Sequence, residues 1–260
     1  MSGRRPALVV AIGGLDPSGG AGILADVRSI EAMGALPAAV VTAITVQSGT
    51  GLRSSRAVAP SLVLAQLDEL LDALPVAAIK IGQVPTAQVA RALGRRLSSR
   101  AIPVVLDPVL AATGGGRLAA PAAVRAIVSS LFPVATLVTV NLDEAAALAG
   151  VPVTNLAGMR RAAAVLASAT GGAVLVKGGH LRAAPTDLLL NDGRETRMTS
   201  RRIRGSMHGS GCALASAAAA ALAGGDDLAT AVRRAREHVH SLIVSGVRIG
   251  RTRFRAPGPR

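Results

Sequence analysis

The chain has 260 residues, half of them hydrophobic and 17% charged, a composition that suits a compact fold with a sizeable core and excludes extended disorder. No apolar run reaches the roughly 18 residues that span a bilayer, and the single cysteine, Cys212, excludes an intramolecular disulfide and a cysteine-built zinc cluster. The formal charge of +14, from 29 basic and 15 acidic residues, favours anionic partners. With Phe132 and Phe254 as its aromatics and most arginines scattered, the expected partners are small anions and not nucleic acid.

The opening MSGRRPALVVAIGG places Arg4 and Arg5 before a short apolar run that ends without a cleavage site. It reads as a first buried strand, Ala7–Ile12, and a cytoplasmic protein is expected. Ile23–Met33 is a helix, Ala38–Ala43 the second strand. After Pro60-Ser61, Leu64, Leu67, Leu71 and Leu74 recur at helical spacing. Ala77–Ile81, Val104–Leu106, Thr136–Val140 and Ala173–Val176 are further strands, separated by helices over Thr86–Leu97, Ala120–Leu131 and Met159–Ala167. Apolar strands alternating with helices predict a mostly parallel sheet covered on both faces. Asp187–Leu190 and Thr196–Ile203 flank the turn Asn191-Asp192-Gly193 as a hairpin or edge strands. Helices over Gly211–Leu222 and Leu228–Ser245 close the chain, with Gly224-Gly225 as a stop between them. One domain over 1–248 is expected, followed by a basic, loosely ordered tail over 249–260.

The polar residues collect at the carboxyl ends of these strands: Asp16 and Ser18 after the first, Gln47 after the second, Gly82 and Gln83 after the third, Asp107, Asn141 and Lys177 after the next three. Ligands of open α/β sheets bind at that edge. Two glycine-rich stretches add to it. The stretch from Gly13 to Gly22 is neither a Walker loop nor a dinucleotide fingerprint. It is either a tight turn or a wall of backbone N–H groups beside a substrate, with Asp26 one turn into the helix as an acceptor. Gly209-Ser210-Gly211-Cys212 precedes an alanine-rich helix, where free N–H groups and the helix dipole hold anions and glycines allow close approach. That field should lower the pKa of the Cys212 thiol, unless Cys212 is a small packed residue opening a helix. Asn141 and Glu144 fit a capping box, or Glu144 helps to hold hydrated Mg²⁺. His238 and His240, spaced i, i+2, face apart on a helix and do not suggest a metal site.

GGLDPSGGAGILAD at 13–26, TAITVQS at 42–48, KIG at 80–82, VLDPVL at 105–110, NLDEAAAL at 141–148, VKGGH at 176–180 and HGSGCALASA at 208–217 occur in an order that resembles the hydroxymethylpyrimidine/phosphomethylpyrimidine kinases of thiamine biosynthesis. The resemblance covers about residues 7–245, and DPSGGAGI with HGSGC is its most specific part. It implies a three-layer α/β/α ribokinase-like fold without a separate lid domain, a homodimer, and ATP-dependent phosphorylation of 4-amino-5-hydroxymethyl-2-methylpyrimidine and then of its monophosphate. It also implies that Gly209, Ser210, Gly211 and Cys212 form the anion hole, with Cys212 as proton acceptor. Gly14, Asp26, Gln47 and Val109 should contact or line the pyrimidine, Asp107 and Glu144 should organise Mg²⁺, and Asn141 and Lys177 should serve the ATP phosphates.

The chain departs from the family pattern at Gln83, where Met is frequent, at Val140 in place of a proline, at Ser48 in place of Asn, and at Met207 in place of Thr. The polar Gln83 joins the predicted substrate residues. It keeps open a pyridoxal-type kinase of the same fold; a non-catalytic ligand-binding relative is the other alternative.

Overall fold

The computed structural model describes residues 5–48, 51–112, 116, 118–181, 184–203, 207–249 and 252–254. Nine strands form one sheet in the order β3-β2-β1-β4-β5-β6-β7-β8-β9. β1 (Leu8–Leu15), β2 (Leu36–Ser48), β4 (Val76–Ile81), β5 (Val104–Leu106), β6 (Leu137–Asn141) and β7 (Ala173–Lys177) run parallel. β3 (Gly51–Ala57) pairs antiparallel with β2 at one edge, and β8 (Thr186–Asn191) and β9 (Arg194–Thr199) are antiparallel at the other.

The side-chain period of two sorts each strand between two faces. Val10 and Ile12 of β1 join the core under α2 (Pro60–Ala73), α3 (Ala87–Leu97), α4 (Pro121–Ser130), α5 (Leu142–Ala149) and α6 (Leu156–Ala167). Val9 and Ala11 face α1 (Gly22–Ala32), α7 (Ser210–Ala223) and α8 (Leu228–Ser245). The three-layer α/β/α arrangement with a mostly parallel sheet is therefore as expected. Helix α7 is buried on nearly all sides, with Ala215, Ala217, Ala218 and Ala219 at zero exposure. Its alanines let the helix axis come close to the sheet, which is why this segment has no polar stripe.

The element boundaries differ from the sequence expectations at a few places. In α2 Leu67 and Leu71 of the leucine repeat are buried as expected, Val63 joins them in place of the partly buried Leu64, and Leu74 is exposed. β3 was not foreseen: Gly51–Ala57 carries Arg53, Ser54, Ser55 and Arg56, with no apolar run, because an edge strand buries little. β2 runs on to Ser48, so Gln47 lies inside the strand. β9 stops at Thr199, short of Ile203. The turn before it has φ of 47° at Asp192 and 75° at Gly193, the two positive values a tight hairpin requires. Val247–Ile249 (β10) and Thr252–Phe254 (β11) pair antiparallel, so the expected boundary at 248 cuts through a two-stranded ribbon. Residues 250–251 and 255–260 of the expected tail lie outside the described residues.

Candidate active site

β1 has β2 on one side and β4 on the other, so the chain reverses its direction of travel across the sheet at β1. Such a switch point opens a crevice beyond the carboxyl ends of the strands. Both glycine-rich stretches meet there. Gly22 has φ 59° and a Cβ on it would overlap the Gly14 carbonyl; Gly209 has φ 78° and a Cβ would overlap the Gly20 carbonyl. The backbones at the starts of α1 and α7 are therefore pressed together as side chains would not permit. Thr86, Asn141, Asn155 and Asp227 cap α3, α5, α6 and α8 through side-chain oxygens. Among the described residues no side chain caps α7. Its first amides, at Ser210, Gly211 and Cys212, and its dipole are left for an anion.

Beside these amides lie the ends of β5, β6 and β7. Lys177 Nζ donates to Asp107 Oδ1 at 2.9 Å, and Thr139 Oγ1 donates to the same oxygen at 3.1 Å. Burial works against ionisation of Asp107, but Lys177 and Lys80 outweigh it and hold its pKa below the ordinary value. Burial likewise opposes the charge on Lys177, and Asp107 and Glu144 reverse the effect, so the ammonium is held above its usual range. A methyl added at Gly211 would lie 3.3 Å from Lys177 Nζ and 3.6 Å from Asp107 Oδ2; glycine keeps that space open. The capping box is present: Asn141 Oδ1 accepts from the Glu144 N–H at 2.8 Å, and Glu144 Oε2 accepts from the Asn141 N–H at 2.9 Å. Burial is the main reason that the Glu144 carboxyl sits above its ordinary range.

Two sequence expectations need correction. Asp26 is not an open acceptor: it is fully buried, both its oxygens accept from Lys80 Nζ at 2.9 and 2.8 Å, and Ser216 Oγ donates to Oδ1 at 2.8 Å. Asp26 lies at the floor of the crevice with its oxygens taken by Lys80 and Ser216, and it ties α1, β4 and α7 together. The paired carboxylate overcomes burial and holds Lys80 charged, well above the usual ammonium range. The second correction concerns the Cys212 thiol, which is pushed up to about 11, not down. Burial is the largest cause, and the Asp26 and Asp107 carboxylates add to it; Lys80 and the Gly22 N–H pull the other way and lose. The field of a helix start was the only influence visible in the sequence.

On the other side of α7 stands His208, buried, with Nε2 2.9 Å from Asp16 Oδ2 and 3.3 Å from the Gln47 carboxamide. Asp16 also accepts from the Ser18 N–H and hydroxyl and from the Ala21 N–H. Burial would raise its pKa, but these bonds from His208 and Ser18 bring it below the ordinary value. Gln83 is buried; its backbone carbonyl accepts from Thr42 Oγ1 at 2.6 Å and its Nε2 donates to Ser55 Oγ at 3.2 Å.

A cavity of about 1070 Å³ is lined by every predicted site residue: Gly14, Asp26, Gln47, Gln83, Val109, Asp107, Asn141, Glu144, Lys177 and Gly209 to Cys212. Its far half was not legible in the sequence. There His180, Arg201, Ile203, Arg233, Arg236 and His240 come from the β7–β8 connection, the segment after β9, and α8. Asp187 joins these pieces, accepting from the Gly178 N–H at 2.7 Å and from Arg236 Nε at 2.8 Å. Lys80 was also missed, although it stands in the KIG motif, because a lone lysine in an apolar strand does not announce its partner.

The family of phosphomethylpyrimidine kinases matches residues 16–256. The hydroxymethylpyrimidine/phosphomethylpyrimidine kinase of Rhizobium meliloti is 39% identical over 257 residues, which cover 96% of each chain. A crystal structure of the phosphomethylpyrimidine kinase of Clostridium difficile is 28% identical with a TM-score of 0.80, covering 90% of this chain and 98% of that one. The Staphylococcus aureus pyridoxal kinase in complex with ADP is 26% identical with a TM-score of 0.89, covering 97% and 94%. The ordered motifs, the uncapped helix start beside Lys177 and Asp107, and these likenesses agree: the chain belongs to the phosphomethylpyrimidine kinase family.

Proposed function

We propose that the chain transfers the γ-phosphoryl group of ATP to 4-amino-5-hydroxymethyl-2-methylpyrimidine and then to its monophosphate, in thiamine biosynthesis or salvage. The observation that carries this reading is the set of uncapped amides from Ser210 to Cys212, flanked by Lys177 and Asp107 on one side and by Gly14, Gln47 and Gln83 on the other. The half with Lys177 and Asn141 suits ATP, as does the ADP complex of the pyridoxal kinase relative. The other half suits a flat heterocycle, with Val109 along its wall.

In the first reaction the hydroxymethyl oxygen attacks the γ-phosphorus, the bond to the β-γ bridging oxygen breaks, ADP leaves, and the hydroxyl proton passes to the thiolate form of Cys212, which becomes the thiol. Phosphoryl transfer depends chiefly on positioning and neutralisation of charge. The α7 amides and Lys177 face the oxygens on which charge collects. Asp107 and Glu144 present hard carboxylate oxygens of the kind Mg²⁺ takes in ones and twos beside phosphates; Asp107 Oδ2 faces the space that Gly211 leaves open. A bound Mg²⁺ would neutralise phosphate charge there. In the second reaction the acceptor is already an anionic phosphate, so a proton acceptor matters less.

One domain without a separate lid, in the cytoplasm, belongs to this reading; no helix among the described residues is long and apolar enough to cross a membrane. So does a homodimer. Ile44 and Val46 of β2 are 56% and 54% exposed, on the face opposite to Thr45 and Gln47, and such an apolar edge suits a second copy. Sedimentation should show a dimer that Ile44→Glu converts to monomer.

The test of the function is a panel of alcohols, including the pyrimidine and pyridoxal, with ATP and Mg²⁺. Pyrimidine-dependent ADP release with successive mono- and diphosphate products is expected. Turnover of pyridoxal without turnover of the pyrimidine would replace the substrate assignment.

A further inference from the structure

We propose that Gln83, anchored by Ser55 and oriented by Gly14, is a specificity-determining residue: its carboxamide oxygen accepts a hydrogen bond from the exocyclic amino group of the substrate ring and selects an aminopyrimidine alcohol over a hydroxypyridine alcohol. This rests on the substrate class proposed above and assigns the part of the chain that reads it.

Both ends of the Gln83 side chain are held. Its backbone follows β4, and the Thr42 hydroxyl of β2 locks the Gln83 carbonyl at 2.6 Å. At the tip, Nε2 donates to Ser55 Oγ at 3.2 Å. Ser55 pairs across the β2–β3 ladder with Thr45, whose side chain lines the cavity. A hydroxyl either donates or accepts, so Ser55 alone would not choose the orientation of the amide. Gly14 does. A Cβ on Gly14 would overlap Gln83 Oε1, so a Gly14 Cα–H points at that oxygen in a weak C–H···O contact. The amide turned over would set N–H hydrogens against the Cα–H. The oxygen is therefore fixed beside Gly14, and the NH₂ group is committed to Ser55.

A carboxamide oxygen accepts two hydrogen bonds. Among the described residues no protein donor bonds to Gln83 Oε1, and both Gln83 and Gly14 line the cavity. The site thus presents a fixed acceptor where a ring edge will lie. A ring amino group supplies the donor. In pyridoxal the ring positions beside the hydroxymethyl group carry a formyl group and a hydrogen, so the amide oxygen meets a carbonyl oxygen, a repulsive element of the kind that separates close analogues, or no strong donor. An apolar side chain at this position would lack this distinction.

The test compares kcat/KM for the aminopyrimidine alcohol and for pyridoxal in the parent, Gln83→Met and Ser55→Ala, alongside calorimetric affinity for each alcohol without nucleotide. In Gln83→Met the pyrimidine-to-pyridoxal ratio should fall about tenfold, the worth of one well-placed hydrogen bond. In Ser55→Ala, where the NH₂ group loses its anchor and the side chain is held at its tip by Gly14 alone, the ratio should fall about threefold. Ser55 is exposed on the edge strand, so this variant keeps the test open if Gln83→Met does not fold. An unchanged ratio in both variants, or an equal loss on both alcohols, overturns the assignment. A parent that turns over neither alcohol removes the underlying substrate reading, and this inference with it.

Discussion

Cys212 shows how far a local rule reaches. A thiol at a helix start is expected to ionise easily, yet burial between the Asp26 and Asp107 carboxylates pushes it up to about 11. Cys212 is then a neutral thiol at pH 7, and the small thiolate fraction grows tenfold with each pH unit. If that fraction takes the hydroxyl proton, kcat/KM on the alcohol should rise about tenfold per pH unit between pH 7 and 9. The monophosphate substrate should show no such slope. Cys212→Ala should abolish the slope on the alcohol and spare the second phosphorylation. A flat profile, or a slope that survives in Cys212→Ala, would remove Cys212 from proton transfer. The identity of this residue as a site member was legible in HGSGC; its ionisation was not, because the two carboxylates that oppose it arrive from positions 26 and 107.

Helix α7 is the element on which the site depends, and its first residues divide into two kinds. Gly209 has positive φ and abuts the Gly20 carbonyl, so Gly209→Ala should strain the α1–α7 junction and lower the melting temperature. Gly211 has no such constraint; its methyl variant meets Lys177 Nζ at 3.3 Å in the space where an anion would lie. Gly211→Ala should keep the parent's melting temperature while losing at least tenfold in kcat, since loss of one donor to a developing anion costs ~10²–10³ in rate. Thermal melting beside steady-state kinetics separates the two effects. From the sequence these glycines form one motif with one expected role. Whether a glycine serves a turn or leaves room for a ligand depends on what packs against it.

At the scale of the whole molecule, the Lys80–Asp26 pair joins β4 to α1, and Ser216 carries the connection into α7. Lys80 is 1% exposed and Asp26 not at all. Removing one partner of such a pair leaves an unpaired buried charge, at a cost of ~3–5 kcal/mol. Lys80→Met should therefore lower stability by that amount in urea unfolding, whereas the double variant Lys80→Met with Asp26→Leu should recover most of it. A small effect of the single variant would show that the pair is not a main tie of the fold. The sequence by itself determined the fold class, most strand positions and the membership of the crevice, because periodicity and the placement of polar residues after apolar strands are local signals. It did not reveal β3, whose edge position needs no apolar run, nor the arginine-lined half of the cavity, whose residues lie far apart in the chain. The tertiary structure alone decided that Asp26 is an ion-pair partner at the floor of the crevice, that Cys212 is held neutral, and that Gln83 presents its oxygen to the cavity. Each of these depends on charges and hydrogen-bond partners that only the folded sheet brings within reach.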